Sequence, residues 1–333
     1  MTQLPIAIQI DDIDSLDTSS DTSLVIAAEL CKRRIPVFLY TPHNLTYSVE
    51  QNAILAAGQF YDVAQKQHQI IATPQSEQMV INIAQDLSSL FIRQNPPFDM
   101  QYISNLYKLR CVEQSLRIHN SPSALLLYPE KMLPIYLKCN HPKTIITSNV
   151  NNIIEFINQY HTILIKPLYG YGGQGIIKLS RDQYKSVAAM KQDITQHLHA
   201  YKQHNSNHNN TAHHQDVIVQ QFVNNVEEKG DWRIIVVNGK ILTYFNRIPK
   251  NGSFLANMAQ GASVVANTLE YKVQKMCQNI AMQLKNIGIF FAGIDVINDF
   301  VIEINVTSPT GLAQANALYN KSFEIEVVNA LLD

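Results

Sequence analysis

The chain of 333 residues is 46% hydrophobic and 16% charged, and its 26 Lys and Arg nearly balance 27 Asp and Glu for a formal net charge of −1. It holds the apolar material for a large core divided over two or three domains. With neither a charge excess nor a strong basic cluster, it argues against electrostatically driven binding to nucleic acid or to an anionic membrane and leaves a small molecule as the expected partner. Cys31, Cys111, Cys139 and Cys277 are scattered without a C-x-x-C pair, so reduced thiols are expected rather than a zinc site or disulfides. The opening "MTQLPIAIQIDD" has too short an apolar run for a signal peptide, and no run approaches the ~18 apolar residues of a membrane span, which predicts a cytoplasmic protein.

In chain order, "PIAIQI" reads as a buried strand, "TSLVIAAELCKRR" after Ser20 and Asp21 has the helical period, and "IPVFLY" is the next strand, a βαβ start. "SSLFIR" is a further strand, and "NPPFDMQYISNLYKLRCVEQS" turns at its prolines and runs as a helix from an N-cap at Asp99. Residues 1–120 thus form one α/β domain. A second unit, 121–223, takes a short helix within "HNSPSALLLYPEKMLPIYL", a connecting stretch around "HPKTIITSN", a helix over 151–160 and a glycine-rich hairpin. The remainder, with its third unit over 224–333, reads as strand-rich with one further helix. Residues 197–216 hold six of the eleven histidines and almost no apolar residue after Tyr201, so a solvated insertion is expected there. The spacing of His204, His208, His213 and His214 matches no structural zinc pattern, and no metal is assigned to it.

The segment "ILIKPLYGYGGQGIIKL" carries Gly170, Gly172 and Gly175 in the spacing G-x-G-x-x-G, with Gly173 between them. A dinucleotide fingerprint needs a helix after the glycines, and a P-loop needs Lys-Ser or Lys-Thr. Here "IIKLS" follows, β-branched and alternating, which predicts a second strand and makes the glycines a flap between antiparallel strands. Glycines remove the Cβ and permit positive φ, so such a flap is able to present N–H groups to phosphate; a plain hairpin is the alternative.

In "GDWRIIVVNGKILTYFNRIP", Asp231 and Arg233 share one face of a strand, and Asn238-Gly239 predicts a hairpin turn. The polar start of this apolar strand is expected at a cleft rim, where Arg233 would meet phosphate; solvated edge residues are the alternative. In "FAGIDVINDFVIEINVTSPTG", a three-residue loop would set Asp295 opposite Glu303, with Asn305 on the same face. Two carboxylates and an amide oxygen in an apolar hairpin are costly to bury without a cation, and hard oxygen donors suit magnesium with substrate phosphates; an internally hydrogen-bonded polar cluster is the alternative. Lys166, in an apolar strand before a proline, and Lys131 in "YPEKML" would neutralise phosphate charge. Flap, arginine and acidic hairpin together describe an ATP site that is neither Rossmann nor P-loop.

The order Lys131, "IKPLYGYGGQG", "DWR", "RIP", "EINVTSPTG", with "DTS" at 21–23 and "PPFD" at 96–99, resembles the ATP-grasp ligases and specifically the bacterial-type glutathione synthetases. The resemblance implies a Rossmann-like N-terminal α/β domain for substrate, a central lid domain and a C-terminal catalytic domain, the last two forming an α+β ATP-grasp fold with antiparallel sheets. It implies ligation of γ-glutamylcysteine to glycine with ATP cleaved to ADP and phosphate, two magnesium ions with manganese as an alternative, and a homo-oligomer, dimer or tetramer. It implies Lys131, Lys166, the flap glycines, Asp231 and the backbone of Gln221, Phe222 and Val223 at the nucleotide, and Asp295, Glu303 and Asn305 on metal. Asp231, Arg233 and Arg247 would serve catalysis, and Arg233, Arg247, Asn257, Ser308, Pro309 and Thr310 would meet the peptide substrate or the transferred phosphate.

Three positions depart from the pattern. "IPKNGSFLANMAQGA" has Leu255 where the family usually has arginine and Ala262 where it usually has glycine, and "RQNPPFD" has Asn95 in place of the usual aspartate. These leave open a related ligase with a different acid or amine, and an ATP-binding protein that acts through partners without turnover.

Overall fold

A computed structural model describes residues 4–66, 69–205, 215–250 and 253–333. The first unit contains β1 (Ile6–Gln9), α1 (Thr22–Lys32), β2 (Val37–Tyr40), β3 (Leu45–Ser48), β4 (Ala53–Lys66), β5 (Gln69–Pro74), β6 (Met79–Asn82), α2 (Ile83–Asp86), β7 (Ser89–Ile92), α3 (Met100–Arg110), β8 (Arg117–His119), α4 (Pro122–Leu127) and α5 (Leu133–Tyr136). The second contains β9 (Thr144–Thr147), α6 (Val150–Tyr160), β10 (Thr162–Pro167), β11 (Ile177–Ser180), α7 (Val187–Asn205) and β12 (Val217–Gln221). The third contains α8 (Val226–Lys229), β13 (Asp231–Val237), β14 (Lys240–Ile248), β15 (Ser263–Val265), α9 (Tyr271–Asn286), β16 (Phe291–Ile297), β17 (Phe300–Asn305), α10 (Leu312–Tyr319) and α11 (Glu324–Leu332).

Each unit is organised by its own sheet. The first runs β3-β4-β2-β1-β7-β8, with β5 and β6 also on β4. β2, β1, β7 and β8 are parallel, as the Rossmann-like reading expects. The second sheet, β11-β10-β12-β9, and the third, β15-β14-β13-β16-β17, are antiparallel throughout. Helix starts follow their caps: the Asp21 side chain accepts from Leu24 N and that of Asp99 from Tyr102 N, both at 2.9 Å.

Burial ties the first and third units together and sets the second apart. The middle unit closes its own core from Ile153, Phe156 and Ile157 of α6, Ile163 and Ile165 of β10, and Met190, Ile194 and Leu198 of α7. In contrast, Ile6, Ile8 and Leu24 share one core with Phe291, Leu312, Val327 and Leu331, and Leu90, Leu106 and Leu109 share another with Ile234, Leu284 and Ile304. Val327, Val328 and Leu331 of α11 are essentially fully buried; at roughly 1.5–3 kcal/mol each as an upper bound, they make that helix part of the first unit's core.

Four expectations need correction. The chain after the glycine hairpin contains α7, α8, α9, α10 and α11 rather than one further helix, because buried apolar positions such as Val273, Cys277, Ile280 and Leu284 in α9 recur at helical spacing. The histidine-rich insertion is helical through Asn205, anchored by buried Leu198 and Tyr201; His208, His213 and His214 lie outside the described residues. "TIIT" within the connecting stretch is strand β9, paired with β12. The β16–β17 connection is a two-residue turn at Asn298 and Asp299, and a bulge in β17 supplies the extra residue that brings Asp295 opposite Glu303. Among the described residues no helix is long and apolar enough to cross a membrane.

Candidate active site

The third sheet builds one charged face. Asp231 lies across from Arg247, Arg233 across from Asp295, and Asp295 across from Glu303, so the period of two along each strand puts all five side chains on the same side. Arg233 Nε and Nη2 donate to Asp295 Oδ1 and Oδ2 at 2.7 and 3.2 Å. Arg247 Nε and Nη2 donate to Asp231 Oδ1 and Oδ2 at 2.7 and 2.6 Å, and Arg247 Nη2 also lies 3.0 Å from Asp295 Oδ2. Asp231, Arg233, Arg247 and Asp295 are all buried, so the expected rim position of Asp231 and Arg233 gives way to an internal, charge-balanced network. A Cβ on Gly293 would stand 2.8 Å from Arg233 Nη1, which is why the residue facing that guanidinium has no side chain. Burial alone would raise the Asp295 carboxyl, but Arg233 and Arg247 outweigh it and hold the group below its ordinary value.

Asp295, Glu303 and Asn305 stand together on this face: Asn305 Nδ2 is 3.2 Å from Asp295 Oδ2, and Asn305 pairs with Gly293, two residues before Asp295. The donor set is of hard oxygens on one side of a hairpin and fits magnesium, which is commonly held by one or two carboxylates and substrate phosphates. Basic side chains share it. Lys131 Nζ lies 3.3 Å from Glu303 Oε1 and also donates to the Gly170 carbonyl in the flap. Lys166 is buried and donates to Gln220 Oε1 at 2.8 Å; burial, opposed by Glu303 and reinforced by Lys131, lowers its ammonium pKa to about 8.

The flap is the β10–β11 connection, and β11 pairs antiparallel with β10 from Thr162↔Ser180 to Ile165↔Ile177, which excludes the dinucleotide fingerprint. Gly172 and Gly173 have φ of +61° and +76°, accessible to glycine without strain. Gln260 Nε2 donates to Gly172 O at 3.2 Å, Tyr201 donates to Gly175 O at 2.5 Å, and Tyr169 stacks on Phe98 at 6.3 Å. The small cavity beneath, about 20 Å³, is lined by Pro96, Glu130, Lys131, Tyr169, Gly170 and Thr307 among others.

The other sequence-assigned residues surround this floor. The N–H groups of Gln221 and Phe222 are taken by Lys143 O and Thr162 O at 2.8 and 3.0 Å, and Lys178 Nζ lies over the Phe222 ring, 3.8 Å from its centroid. Val223 is half-buried. Asn257 sits in the turn whose backbone accepts from Gln260 N at 2.9 Å; Leu255 reaches the flap, with Cδ1 3.7 Å from where a Gly173 Cβ would stand. Ser308 is half-buried, Pro309 buried and Thr310 exposed, in the loop that leaves β17. Glu130, Arg93 and Asn120 contact that loop and were not anticipated; the one hint was a buried arginine ending the apolar run "SSLFIR".

Two antiparallel sheets gripping a cleft under a glycine flap, with a carboxylate–lysine floor, define an ATP-grasp ligase, an ATP-dependent enzyme that joins a carboxylate to an amine. The fold is similar over 98% of both chains to that of a D-cycloserine synthetase (TM-score 0.64, 11% identity), and over 100% of both to D-alanyl-alanine synthetase A from Vibrio cholerae (TM-score 0.58, 14% identity). The chain belongs to the prokaryotic glutathione synthetase family, whose N-terminal domain matches residues 4–125 and whose ATP-grasp domain matches residues 130–320. It is 31% identical to the glutathione synthetase of Prochlorococcus marinus subsp. pastoris over 97% of both chains. It is 30% identical to that of Agrobacterium fabrum, covering 93% of this chain and 90% of that one.

Proposed function

We propose that the protein ligates γ-glutamylcysteine to glycine at the expense of ATP, giving glutathione, ADP and phosphate. The observation that carries this reading is the double engagement of Lys131, which joins the carboxylate floor at Glu303 to the flap carbonyl of Gly170 in a chain aligned along 97% of its length with a glutathione synthetase. A free carboxylate is a poor acyl donor. Transfer of the γ-phosphoryl group to it makes an acylphosphate with a good leaving group, and the glycine amine then attacks the carbonyl. Lys131 and Lys166 hold the nucleotide phosphates, Arg233 and Arg247 stabilise charge on the migrating group from the sheet face, and residues 308–310 with Asn257 meet the peptide. Asp295, Glu303 and Asn305 would hold magnesium, which when bound supplies Lewis-acid stabilisation of phosphoryl oxygens. The flap excludes water that would otherwise hydrolyse the acylphosphate.

The proposed division of labour is 1–120 for substrate, 121–223 as lid, its first two helices α4 and α5 being packed in the first unit's core, and 224–333 for catalysis, acting in a homo-oligomer. Phosphate release measured with γ-glutamylcysteine and glycine tests the reading, and release only with other acid–amine pairs would replace it. That second outcome has one observation in its favour, an apolar Leu255 touching the flap in place of a cation.

A further inference from the structure

The loop after β17, residues 306–310, is neither helix nor strand, and its backbone polar groups are satisfied by buried or half-buried side chains distant in sequence. Glu130 Oε1 accepts from Val306 N at 2.7 Å, Thr307 N at 2.9 Å and Thr307 Oγ1 at 2.9 Å. Asn120 Nδ2 donates to Val306 O at 2.6 Å, while its Oδ1 accepts from Phe290 N and Phe291 N at 2.7 Å. Arg93 Nη2 donates to Pro309 O at 2.9 Å, and Arg233 Nη1 to Thr310 O at 3.2 Å. An irregular buried loop has no ladder to fix it, so these bonds decide where its side chains stand.

Arg93 is the least expected of them. It is 2% exposed, makes its other side-chain hydrogen bond from Nε to Ser23 Oγ at 3.1 Å, lies over the rings of Phe91 and Phe291 at 5.6 and 5.2 Å, and among the described residues Nη1 finds no hydrogen-bond partner. No carboxylate stands in ion-pair contact with it among the described residues. Desolvation lowers its pKa to about 10. A guanidinium so placed is a weak device for stability, yet it joins the end of β7 in the first sheet to the loop that follows the acidic strand of the third.

We propose that Arg93, Asn120 and Glu130 are positioning residues of the ligase: the first unit sets residues 306–310 from outside, and through them the placement of the acid substrate against the phosphoryl donor. The inference rests on the reading of these residues as the substrate loop. Its first test is Arg93→Met, which keeps the stem over the two rings and removes the guanidinium. The expected result is an unchanged or raised melting temperature, a fall of about tenfold or more in kcat, and a KM for ATP altered by less than about threefold. A parallel loss of stability and activity, or wild-type kcat, overturns it. Glu130→Ala should likewise lower kcat, and Glu130→Gln, whose amide oxygen accepts from the same three donors, should restore most of it; equal activity of the two variants counts against the proposal. Should wild-type protein turn over no γ-glutamylcysteine, the substrate assignment fails while the clamp is still decided by hydrogen exchange. Peptides covering 306–311 must exchange at least about tenfold faster in Glu130→Ala, with those of β16 unchanged; equal protection of the loop refutes it.

Discussion

Asp231→Asn perturbs the buried network at a carboxylate that is not itself a proposed metal donor. The substitution removes one of two negative charges that face two arginines, and leaves Arg247 with only the 3.0 Å contact to Asp295. The lost pair is bidentate, at 2.7 and 2.6 Å, and buried. Unit charges centred ~4 Å apart interact by about 4 kcal/mol at an effective dielectric near 20, and removing one partner of a buried pair costs about 3–5 kcal/mol because the other charge is left uncompensated. Trp232, the single tryptophan, sits beside the site on β13 with its ring edge-on to Tyr244 at 6.0 Å, so its fluorescence reports unfolding of this sheet. With a denaturant slope near ~3 kcal/mol/M, the urea midpoint should fall by about 1–1.7 M. Replacing both partners, Asp231→Asn with Arg247→Met, leaves Arg233 and Asp295 balanced and should regain most of the loss. A single-variant shift below about 0.3 M, or losses that add in the double variant, would refute the reasoning.

Glu303→Ala should cost about 1 kcal/mol or less, since Glu303 is only half-buried and its ion pair with Lys131 is at 3.3 Å, while phosphate release falls by at least about a hundredfold; retained turnover would remove Glu303 from the metal site. Lys166 binds its proton less tightly folded, at about 8, than its ordinary 10.5. The folded state therefore gains relative stability as pH rises between those values, while its hold on phosphate, which needs the ammonium, weakens. Affinity for a non-hydrolysable ATP analogue should be level below pH ~7.5 and decline above pH ~8 by up to tenfold per unit, a limb that Lys166→Arg should flatten. Affinity constant to pH ~9.5 in wild-type protein would contradict this. Asp295, held below its ordinary value by two arginines, contributes stability that is complete above its unfolded value of 3.8 and is lost as pH falls through its lower folded value. Gly230→Ala places a Cβ 2.0 Å from Arg247 O at φ +70° and should prevent accumulation of folded protein, whereas Gly172→Ala, in open space at φ +61°, should cost only about 1 kcal/mol in thermal melts.

Where local rules decide the backbone, the sequence was readable. Asn238 and Gly239 both take positive φ, at 46° and 81°, in the two-residue turn their identities demand, and the alternation of "IIKLS" foretells β11. Where tertiary partners decide, it was not. β4, "AILAAGQFYDVAQK", is rich in alanine and has no clean alternation, because it carries β2, β3, β5 and β6 along its length and changes its buried face as it goes. At the site, spacing along the strands gave the shared face of Asp295, Glu303 and Asn305, but the pairing of Asp231 with Arg247 and the reach of Arg93 to Pro309 depend on sheet order and domain docking, which no local pattern encodes.

The sharing of one core by β1 and α11 constrains how the polypeptide matures on the ribosome. Ile6 and Ile8 leave the ribosome more than three hundred residues ahead of Val327 and Leu331, with which they share a core. The nascent first sheet must wait with an apolar flank uncovered, while the lid, whose neighbours in space are also neighbours in sequence, is free to consolidate in the meantime.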